Sequence, residues 1–414
     1  MSYQGNYPPS TPLTSNQIAT GAVQPANLST GGPSWDASNN VTAASVKNSS
    51  SASANIVLNT DGSATFAQMP VPPTSYLRNR LINGAALVSQ RGAVNVTAAS
   101  GVTYKACDRF AMTNYWGSGQ VNTTQATTAP AGFANSIGLT VATAAPMSGS
   151  TGYAANIWQS IEGLNIYDAY SSNVTLSFWV NSSITGTYSV TFSNVSINSA
   201  TDGSRIYVAN YTINVANTWE YKTITVNLAN GTSGGTWVSN NNTGLCVIWN
   251  LGAESNRKSN GALNTWLTLA GSYPIQSSSQ TNWISNSGAT FYLAGTQLEV
   301  GNVSTPYERR LISQELAMCQ RYFEAGTVPV QGFGQNSTGG LQGSSAPFFM
   351  TFRVSKRATP TASLAFNAPI DNASSTGFSV GQTTTEGMRG NLIIANTGFF
   401  YASAFMNYTA SAEL

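Results

Sequence analysis

The sequence contains no histidine and very little charge, and both deficits narrow the possible function classes. Of its 414 residues 8% are charged, with 17 Lys and Arg against 15 Asp and Glu and a net charge of +2. Without histidine, mechanisms that use imidazole as a general base, proton shuttle or metal ligand are excluded. Without a run of basic residues, the chain lacks the electrostatic footprint of a nucleic-acid-binding protein. Nucleic acid is therefore not an expected partner.

Cysteine is also scarce, and its spacing is unlike that of a metal or redox site. Cys107, Cys246 and Cys319 are odd in number and far apart, with no C-x-x-C spacing. We predict three buried free thiols, no metal and no cofactor. The sequence starts without a secretory signal, and no stretch reaches the roughly 18 apolar residues of a membrane span. We therefore expect synthesis in the cytoplasm and no membrane insertion.

Residues 1–73 are rich in Ser, Thr, Asn, Ala, Gly and Pro and hold only three charged residues, so this segment cannot build a core alone. Within it, residues 55–59 and 64–66 flank an Asp-Gly turn and predict a β-hairpin. The rest is predicted to be an extended arm that is ordered only against a partner. Three prolines, at 70, 72 and 73, end the arm as a stiff linker.

Apolar and polar residues alternate repeatedly from residue 74 to residue 305. In residues 173–181, four apolar side chains occupy every second position: Val174, Leu176, Phe178 and Val180. The same period recurs in several further segments of the region. Strands this numerous, with no helical periodicity between them, predict a jelly-roll β-sandwich over residues 74–305.

Two more segments complete the predicted fold. Residues 306–325 break the strand pattern and predict a linking helix, with Ser313 as its N-terminal cap. Residues 326–414 resume the alternation and predict a small C-terminal β-sandwich. The predicted fold class is therefore all-β, with an extended N-terminal anchoring arm, a jelly roll, one short helix and a second, smaller sandwich.

Two motifs resemble a module of bacteriophage tail-fibre and virion appendage proteins. The opening motif, in residues 81–84, 89–92 and 104–110, resembles INGxxxxxQRG…DRF. The closing motif, in residues 290–323, resembles FYLxxxQLExG…TPxExR…ELxxCQRYF. The resemblance covers roughly residues 15–325. It implies a virion structural protein, assembled in the host cytoplasm, and a homotrimer.

The N-terminal segment also resembles the virion-proximal starts of such fibres. The resemblance implies that the arm attaches to other virion proteins of the tail or capsid. The docking residues that it implies are Trp35, Asp36, Ile56, Leu58 and Phe66.

The body between the two motifs resembles carbohydrate-binding jelly rolls found beside glycoside hydrolases. Residues 173–181, 219–226 and 291–299 occupy the places of that family's characteristic strands. One departure is Ala294, which stands where the family frequently has Asp, so the structural calcium usual in the family is in question. We predict no metal site here.

Aromatic side chains are the candidate sugar platforms, because a ring face gives flat apolar contact and leaves the sugar hydroxyls free to hydrogen-bond. Five tryptophans in polar, loop-like contexts are the candidate ligand-binding residues: Trp116, Trp158, Trp237, Trp266 and Trp283. The alternative for each is packing in the core or in a trimer interface. Trp179 and Trp249 lie inside strands, and we assign both to the core.

Basic residues near the motifs form a second candidate site. Arg78, Arg80 and Arg91, with residues 307–310, are candidates for a basic patch that binds acidic glycan. The alternative is that they form salt bridges to nearby carboxylates, Asp108, Glu299 and Glu308. The adjacent Asp108 and Arg109 are interpreted as a buried ion pair at a β corner.

Carboxylates are too sparse to form a recognisable hydrolase site. Glycosidases need two carboxyl groups separated by about 5 Å or by about 6.5–9.5 Å. The densest usable group, Glu162 with Asp168, matches no acid–base motif, and no long parallel β-helix repeat is present. We predict that the protein is not an enzyme.

The leading hypothesis is a bacteriophage tail fibre that adheres to host-surface glycan or protein through many weak contacts. The first alternative is a head fibre or capsid decoration protein, in which the arm clamps neighbouring capsid subunits. The second is a carbohydrate-binding module of a bacterial enzyme.

Overall fold

The structure is a computed structural model. It describes five short strands between residues 34 and 66, and then residues 77–97, 102–104, 106–115, 118–196, 199–259, 263–270, 275–333, 345–371, 373, 378–395 and 401–414. The described residues are mostly strands, as the sequence predicted, and none of their helices is long and apolar enough to cross a bilayer. By internal contacts the chain divides into two units, Met1–Pro72 and Pro73–Leu414.

The first unit contains short antiparallel strands: β1 (Ser34–Trp35), β2 (Val41–Thr42), β3 (Ser45–Val46), β4 (Ile56–Leu58) and β5 (Ala64–Phe66). β1 pairs with β2, and β4 pairs with both β3 and β5. The pairing of β4 with β5 places Ile56 opposite Phe66, so the predicted hairpin strands are confirmed.

Fifteen strands of the second unit precede its main helix. They are β6 (Val94–Thr97), β7 (Val102–Tyr104), β8 (Ala111–Tyr115), β9 (Gln120–Ala126), β10 (Ser136–Thr143), β11 (Ala154–Glu162), β12 (Asn173–Ser182), β13 (Gly186–Ser193), β14 (Arg205–Ile213), β15 (Glu220–Asn227), β16 (Thr243–Ala253), β17 (Lys258–Ser259), β18 (Trp266–Thr268), β19 (Gln276–Ser277) and β20 (Thr290–Val300).

Thirteen of these strands form two facing sheets. The first sheet has six strands in the order β15-β12-β20-β10-β9-β6, and the second has seven in the order β18-β14-β13-β16-β11-β8-β7. The remaining two, β17 and β19, form a small parallel pair. All described ladders of the two large sheets are antiparallel, so the predicted jelly-roll sandwich is confirmed.

The period-2 pattern of β12 shows how the sequence builds this core. Its four alternating apolar side chains, Val174, Leu176, Phe178 and Val180, are fully buried. The ring of Phe178 meets Trp249 of the facing sheet edge to face at 5.9 Å between centroids, a favoured aromatic geometry. The core assignment of Trp249 is thereby confirmed. The three cysteines are also buried, and none of these described thiols is in a disulfide, as predicted.

The predicted linking helix is shorter than expected. Within the described residues the α-helical segments are a four-residue turn, α1 (Leu228–Gly231), and a longer helix, α2 (Ile312–Gln320). Residues 306–311 are non-helical because two hydrogen bonds fix them to distant parts of the chain. The main-chain N–H of Glu308 donates to the Gln297 side chain, and the Arg310 guanidinium donates to the Leu81 carbonyl. The prediction of Ser313 as cap is wrong: the N-cap is Leu311, two residues earlier, and its side chain makes no capping hydrogen bond.

Six strands form the predicted second sandwich: β21 (Phe323–Phe333), β22 (Ser345–Thr351), β23 (Thr361–Asp371), β24 (Ser379–Thr383), β25 (Gly387–Ile393) and β26 (Tyr401–Ser411). They make two three-stranded sheets, β21-β26-β23 and β22-β25-β24. A separate apolar core, which includes Phe348, Leu392 and Met406, lies within them.

Candidate functional site

The opening and closing motifs dock against each other and form a structural junction. The main-chain N–H of Asn83 donates to the Glu315 carboxylate, and the Asn83 side-chain amide donates to the carbonyls of Val88 and Asp108. Only glycine fits at position 84 of this junction, because a Cβ there would lie 2.1 Å from the Thr296 carbonyl oxygen. These motif residues are buried and hydrogen-bonded to one another, so they do not present an open ligand site.

Asp108 and Arg109 are both buried, but the prediction that they pair with each other is wrong. Arg109 has φ +71, which turns its side chain to form an ion pair with Glu413 and a 2.8 Å hydrogen bond to the Ser160 carbonyl. Asp108 instead accepts a 3.0 Å hydrogen bond from the main-chain N–H of Gln90. Burial raises the pKa of the Asp108 carboxyl group, although the contacts with Gln90 and Arg91 partly oppose this.

Most arginines of the predicted basic patch are engaged in ion pairs, as in the alternative interpretation, although Asp168 and Glu413 were not among the partners that it named. Arg78 lies 3.6 Å from Glu299, Arg80 lies 2.6 Å from Asp168, and Arg91 lies 2.9 Å from Glu413. Arg310 lies 3.1 Å from Glu308. These four residues therefore do not form one free patch, and Arg309 is the member of the predicted set that remains.

The two carboxylates weighed as a hydrolase pair have separate structural partners. Glu162 is buried and accepts two 2.8 Å hydrogen bonds from the Arg321 guanidinium. Burial tends to raise the pKa of Glu162, but these bonds outweigh it and hold the pKa below its ordinary value. Asp168 is half-exposed and pairs with Arg80. The two carboxylates thus form ion pairs with different arginines, Arg321 and Arg80.

The structure corrects several tryptophan predictions. Trp158 and Trp283 are fully buried, and their indole N–H groups donate to Thr113 and to the Thr290 carbonyl at 3.0 Å. Neither can stack on a sugar, so both predictions are wrong. Trp266 is 8% exposed and packs edge to face against the half-buried Trp237 at 5.5 Å. Their indole N–H groups donate to the main-chain carbonyls of Asn227 and Gly234 at 2.7 and 3.0 Å, and Trp266 presents little open face.

The remaining predicted site residues lie in the N-terminal region or in an undescribed loop. Trp116 and Asp36 lie outside the described residues. The other docking candidates are placed in strands: Trp35 in β1, Ile56 and Leu58 in β4, and Phe66 in β5. Their docking role stays a prediction.

A groove lined by aromatic rings lies on the outer face of the six-stranded sheet. Trp179 of β12 pairs with Tyr221 of β15, and their ring centroids are 5.2 Å apart. Tyr221 is 43% exposed. Phe133 and Tyr307, also 5.2 Å apart, come from loops beside the same face. The groove encloses about 470 Å³, and its lining is completed by Ser177, Gly295, Pro306 and Arg309.

A bulge in β20 creates the space for this groove. The register between β12 and β20 shifts between Ser177 and Trp179, which leaves one extra residue on β20. Gly295 lies in this bulge with φ +58, a conformation that glycine adopts without strain. A Cβ at this position would lie 2.6 Å from the ring of Phe133. The absence of a side chain therefore lets Phe133 rest against the sheet and form a wall of the groove.

Arg309 stands at the rim of the groove between the two loops. Its guanidinium lies 5.0 Å from the Phe133 ring centroid and 5.9 Å from that of Tyr307, and it donates to the Gly132 carbonyl. Both ring distances are within the range of cation–π attraction. Burial, with a smaller effect from Glu315, raises the pKa of Tyr307, so its hydroxyl stays neutral at physiological pH. The groove thus combines flat apolar faces with one cation.

Sequence reasoning missed this site because the assignment of Trp179 to the core is wrong. Alternation places Trp179 on the face of β12 opposite to Phe178, and among the neighbouring strand residues it is the one left partly exposed. The sequence did contain an indication of the site: Trp179 and Tyr221 are large aromatic residues that project from the same side of two paired strands. Phe133 and Tyr307 lie in loops, where periodicity gives no indication of position.

Comparison with known proteins finds no matching family model and no matching curated protein. Solved structures with partial likeness include the enzymatically active domain of tailspike protein 4 from bacteriophage CBA120. It is 14% identical with a TM-score of 0.26, and the match covers 54% of this chain and 21% of that one. The chain thus spans about a fifth of the length of that tailspike domain.

Two carbohydrate-binding proteins show similar likeness. The family 11 carbohydrate-binding module of a Clostridium thermocellum cellulase is 13% identical with a TM-score of 0.26, and the match covers 53% of this chain and 94% of the module. A xylan-binding domain from Paenibacillus barcinonensis is 10% identical with a TM-score of 0.25, and the match covers 55% and 96%. At these TM-scores the likenesses carry no argument about the function of this chain.

Proposed function

We propose that this protein is a non-enzymatic carbohydrate-binding β-sandwich protein that serves as a bacteriophage tail fibre, attached by its N-terminal arm and adhering to glycan on the host surface. The observation that carries the binding proposal is the groove around Trp179 and Tyr221. Exposed aromatic faces over an open sheet are costly unless they meet a ligand, and a sugar ring is a flat partner for them.

The groove is suited to a chain of sugars because the aromatic surface continues along the sheet. Tyr292 of β20 lies opposite Asn181, two positions beyond Trp179 on the same face of β12. Its ring centroid is 6.3 Å from that of Trp219. Each such site would bind weakly, and a homotrimer displayed in several copies on a virion would gain avidity from effective concentration.

The binding proposal is tested by truncating the groove and comparing glycan binding. Trp179→Ala should weaken binding to a glycan array or to isolated host surface polysaccharide by at least about tenfold, as expected for a central aromatic contact. The matched control is Tyr167→Ala, because Tyr167 is 54% exposed on the jelly roll and does not line the groove. Equal binding by the two variants would exclude the groove as the site.

The virion proposal requires a separate measurement. Antibody raised against residues 326–414 should label the tail in immunogold micrographs of intact particles. Label over the head would favour a head fibre or capsid decoration protein. Particles without any label would contradict the virion role and leave the carbohydrate-binding module of a bacterial enzyme.

A further inference from the structure

The aromatic groove has a net positive charge, and this feature narrows the class of ligand. Among the described residues that line it, Arg309 is the one charged side chain. The described carboxylates lie outside ion-pair distance of its guanidinium. One of its five N–H donors is described in a hydrogen bond, to the Gly132 carbonyl, so most remain available to a ligand.

The acidic residues nearest in the chain are already neutralised elsewhere. The Glu308 carboxylate accepts from the main-chain N–H groups of Arg78 and Asn79 at 3.1 and 2.8 Å and pairs with Arg310. The Glu315 carboxylate lies 3.6 Å from the Arg310 guanidinium and accepts a hydrogen bond from the main-chain N–H of Asn83. Neither side chain can turn to Arg309 without breaking the junction that fixes this segment. The positive charge of Arg309 is therefore uncompensated within the described part of the groove.

The guanidinium is also held in place before any ligand arrives. Its contacts with the rings of Phe133 and Tyr307 and its bond to Gly132 restrict a side chain that would otherwise lose rotamer freedom when a ligand fixed it. A planar guanidinium matches carboxylate and phosphate groups through two parallel hydrogen bonds. A preorganised fork beside exposed aromatic faces suits a ligand that has both a sugar ring and an anionic group.

We propose that the groove selects an acidic glycan, in which one sugar ring stacks on Trp179 and Tyr221 while a carboxylate or phosphate group of the same chain binds Arg309. This inference rests on the proposed function, because it assumes that the groove binds glycan. It adds a charge requirement that neutral cellulose-like or xylan-like chains do not meet.

The experiment compares variants of the full-length protein on an array of neutral, carboxylated and phosphorylated oligosaccharides, followed by titration calorimetry with the strongest binder. Arg309→Gln should weaken binding to acidic glycans by about tenfold or more, the loss of a charge-assisted contact. Arg309→Lys should lose less, because it keeps the charge but not the fork. The matched control is Arg353→Gln, which removes an exposed arginine from the C-terminal sandwich and should bind like the wild type.

Ionic strength gives a second measurement that a purely structural role for Arg309 would not change. Binding by the wild type should weaken as salt is raised, whereas binding by Arg309→Gln should be nearly insensitive to salt. Circular dichroism must show that the variants unfold at the same temperature as the wild type. Arg309→Lys then provides the comparison if loss of the bond to Gly132 disturbs the Arg309→Gln protein.

The outcomes separate this inference from the function on which it rests. Equal binding of neutral and acidic glycans, or unchanged affinity in Arg309→Gln, would overturn the charge requirement while loss of binding in Trp179→Ala would still support a glycan site. If the wild type binds no glycan on the array, the proposed function fails and this inference fails with it.

Discussion

The jelly roll and the C-terminal sandwich enclose their apolar side chains to different extents. The inward side chains of β12 are fully buried between sheets of six and seven strands. Along β23, Leu364 and Phe366 are only half-buried, and Phe349 and Phe333 of the same sandwich are 81% and 62% exposed. Two three-stranded sheets cannot surround a core as completely, because small domains bury a smaller fraction of their surface. The smaller sandwich must therefore depend more on specific polar contacts.

Those contacts are concentrated where the C-terminal sandwich meets the motif junction. Glu324 and Lys356 form an ion pair with both side chains fully buried, and the Tyr408 hydroxyl donates to Glu324. Burial tends to raise the pKa of Glu324, but the hydrogen bonds from Lys356 and Tyr408 outweigh it and hold the pKa below its ordinary value. Because both charges have ion-pair and hydrogen-bond partners, the pair can be buried away from water, where either charge alone would be strongly destabilising.

The largest effect is expected from Glu324→Gln, which leaves the Lys356 ammonium buried without a counter-charge. Removal of one partner of a buried pair typically costs about 3–5 kcal/mol in free energy of unfolding. All nine tryptophans lie at or before residue 283, so their fluorescence is insensitive to residues 326–414. In urea, circular dichroism should show an early transition that tryptophan fluorescence does not follow.

The control for this variant is Glu386→Gln. Glu386 lies in the same sandwich, but its carboxylate contacts Ser355 at an exposed position. It should change the free energy of unfolding by less than about 0.5 kcal/mol. Coincident transitions by both methods in Glu324→Gln would show that the two sandwiches unfold as one unit.

A smaller loss is expected from Glu413→Gln, which removes the counter-charge of two arginines. Arg109 is 1% exposed and Arg91 is 13% exposed. Because Arg91 keeps some contact with solvent and with Asp108, we expect a loss of about 2–3 kcal/mol. Here both fluorescence and circular dichroism should shift in urea, since Glu413 contacts the jelly roll. Glu220→Gln, which affects a surface pair with Lys222, should cost less than about 1 kcal/mol.

The acid limb of the stability curve tests the bond between helix α2 and the jelly roll. Because the pKa of Glu162 is lowered in the folded protein, its contribution is complete above the ordinary glutamate pKa and is lost as the pH falls through the lowered value. Stability should fall below about pH 4. Glu162→Gln should cost about 1.5 kcal/mol at neutral pH and flatten this decline. Unfolding temperatures of the wild type and of Glu162→Gln, measured from pH 7 to pH 3, would test this. Parallel declines in the two proteins would contradict the prediction.

The smallest effect on stability is expected at the exposed face of the C-terminal sandwich. Phe349→Ser removes little buried surface and should change the free energy of unfolding by less than about 0.5 kcal/mol. In the proposed homotrimer, an exposed Phe of this kind is covered by a neighbouring copy. Light scattering coupled to size-exclusion chromatography should therefore show a smaller trimer fraction for the variant. An unchanged trimer would place the subunit interface elsewhere.

The sequence was sufficient to predict most of the architecture, because strand alternation is a local property. The pattern from Val174 to Val180 determined β12, and a similar argument located the strands of both sandwiches. The helix was predicted too long because Gln297 holds residues 306–311 in a non-helical conformation through Glu308. The periodicity of the sequence does not show such a contact. The ends of elements depend on such distant hydrogen bonds more than their centres do.

The candidate site was harder to predict, because alternation identifies two faces of a strand without showing what covers each. Trp179 was placed in the core although it lies on the face opposite to Phe178. Trp158 and Trp283 were placed in loops, yet both are enclosed. The ion pair of Arg109 with Glu413 was assigned to Asp108 instead, since 304 residues separate the true partners. Long-range polar pairing is set by tertiary structure and leaves no local signal.

That separation has a consequence for how the protein is made. Arg109 is buried in the jelly roll, but its counter-charge is supplied only when residue 413 has left the ribosome. At about 5–20 residues per second, synthesis of the 304 intervening residues takes about 15 to 60 s. During that time the nascent jelly roll contains an unneutralised cation at its edge and cannot reach its final stability. A chain cut between these two residues would lack the counter-charge of Arg109 and would be left as a substrate for proteases.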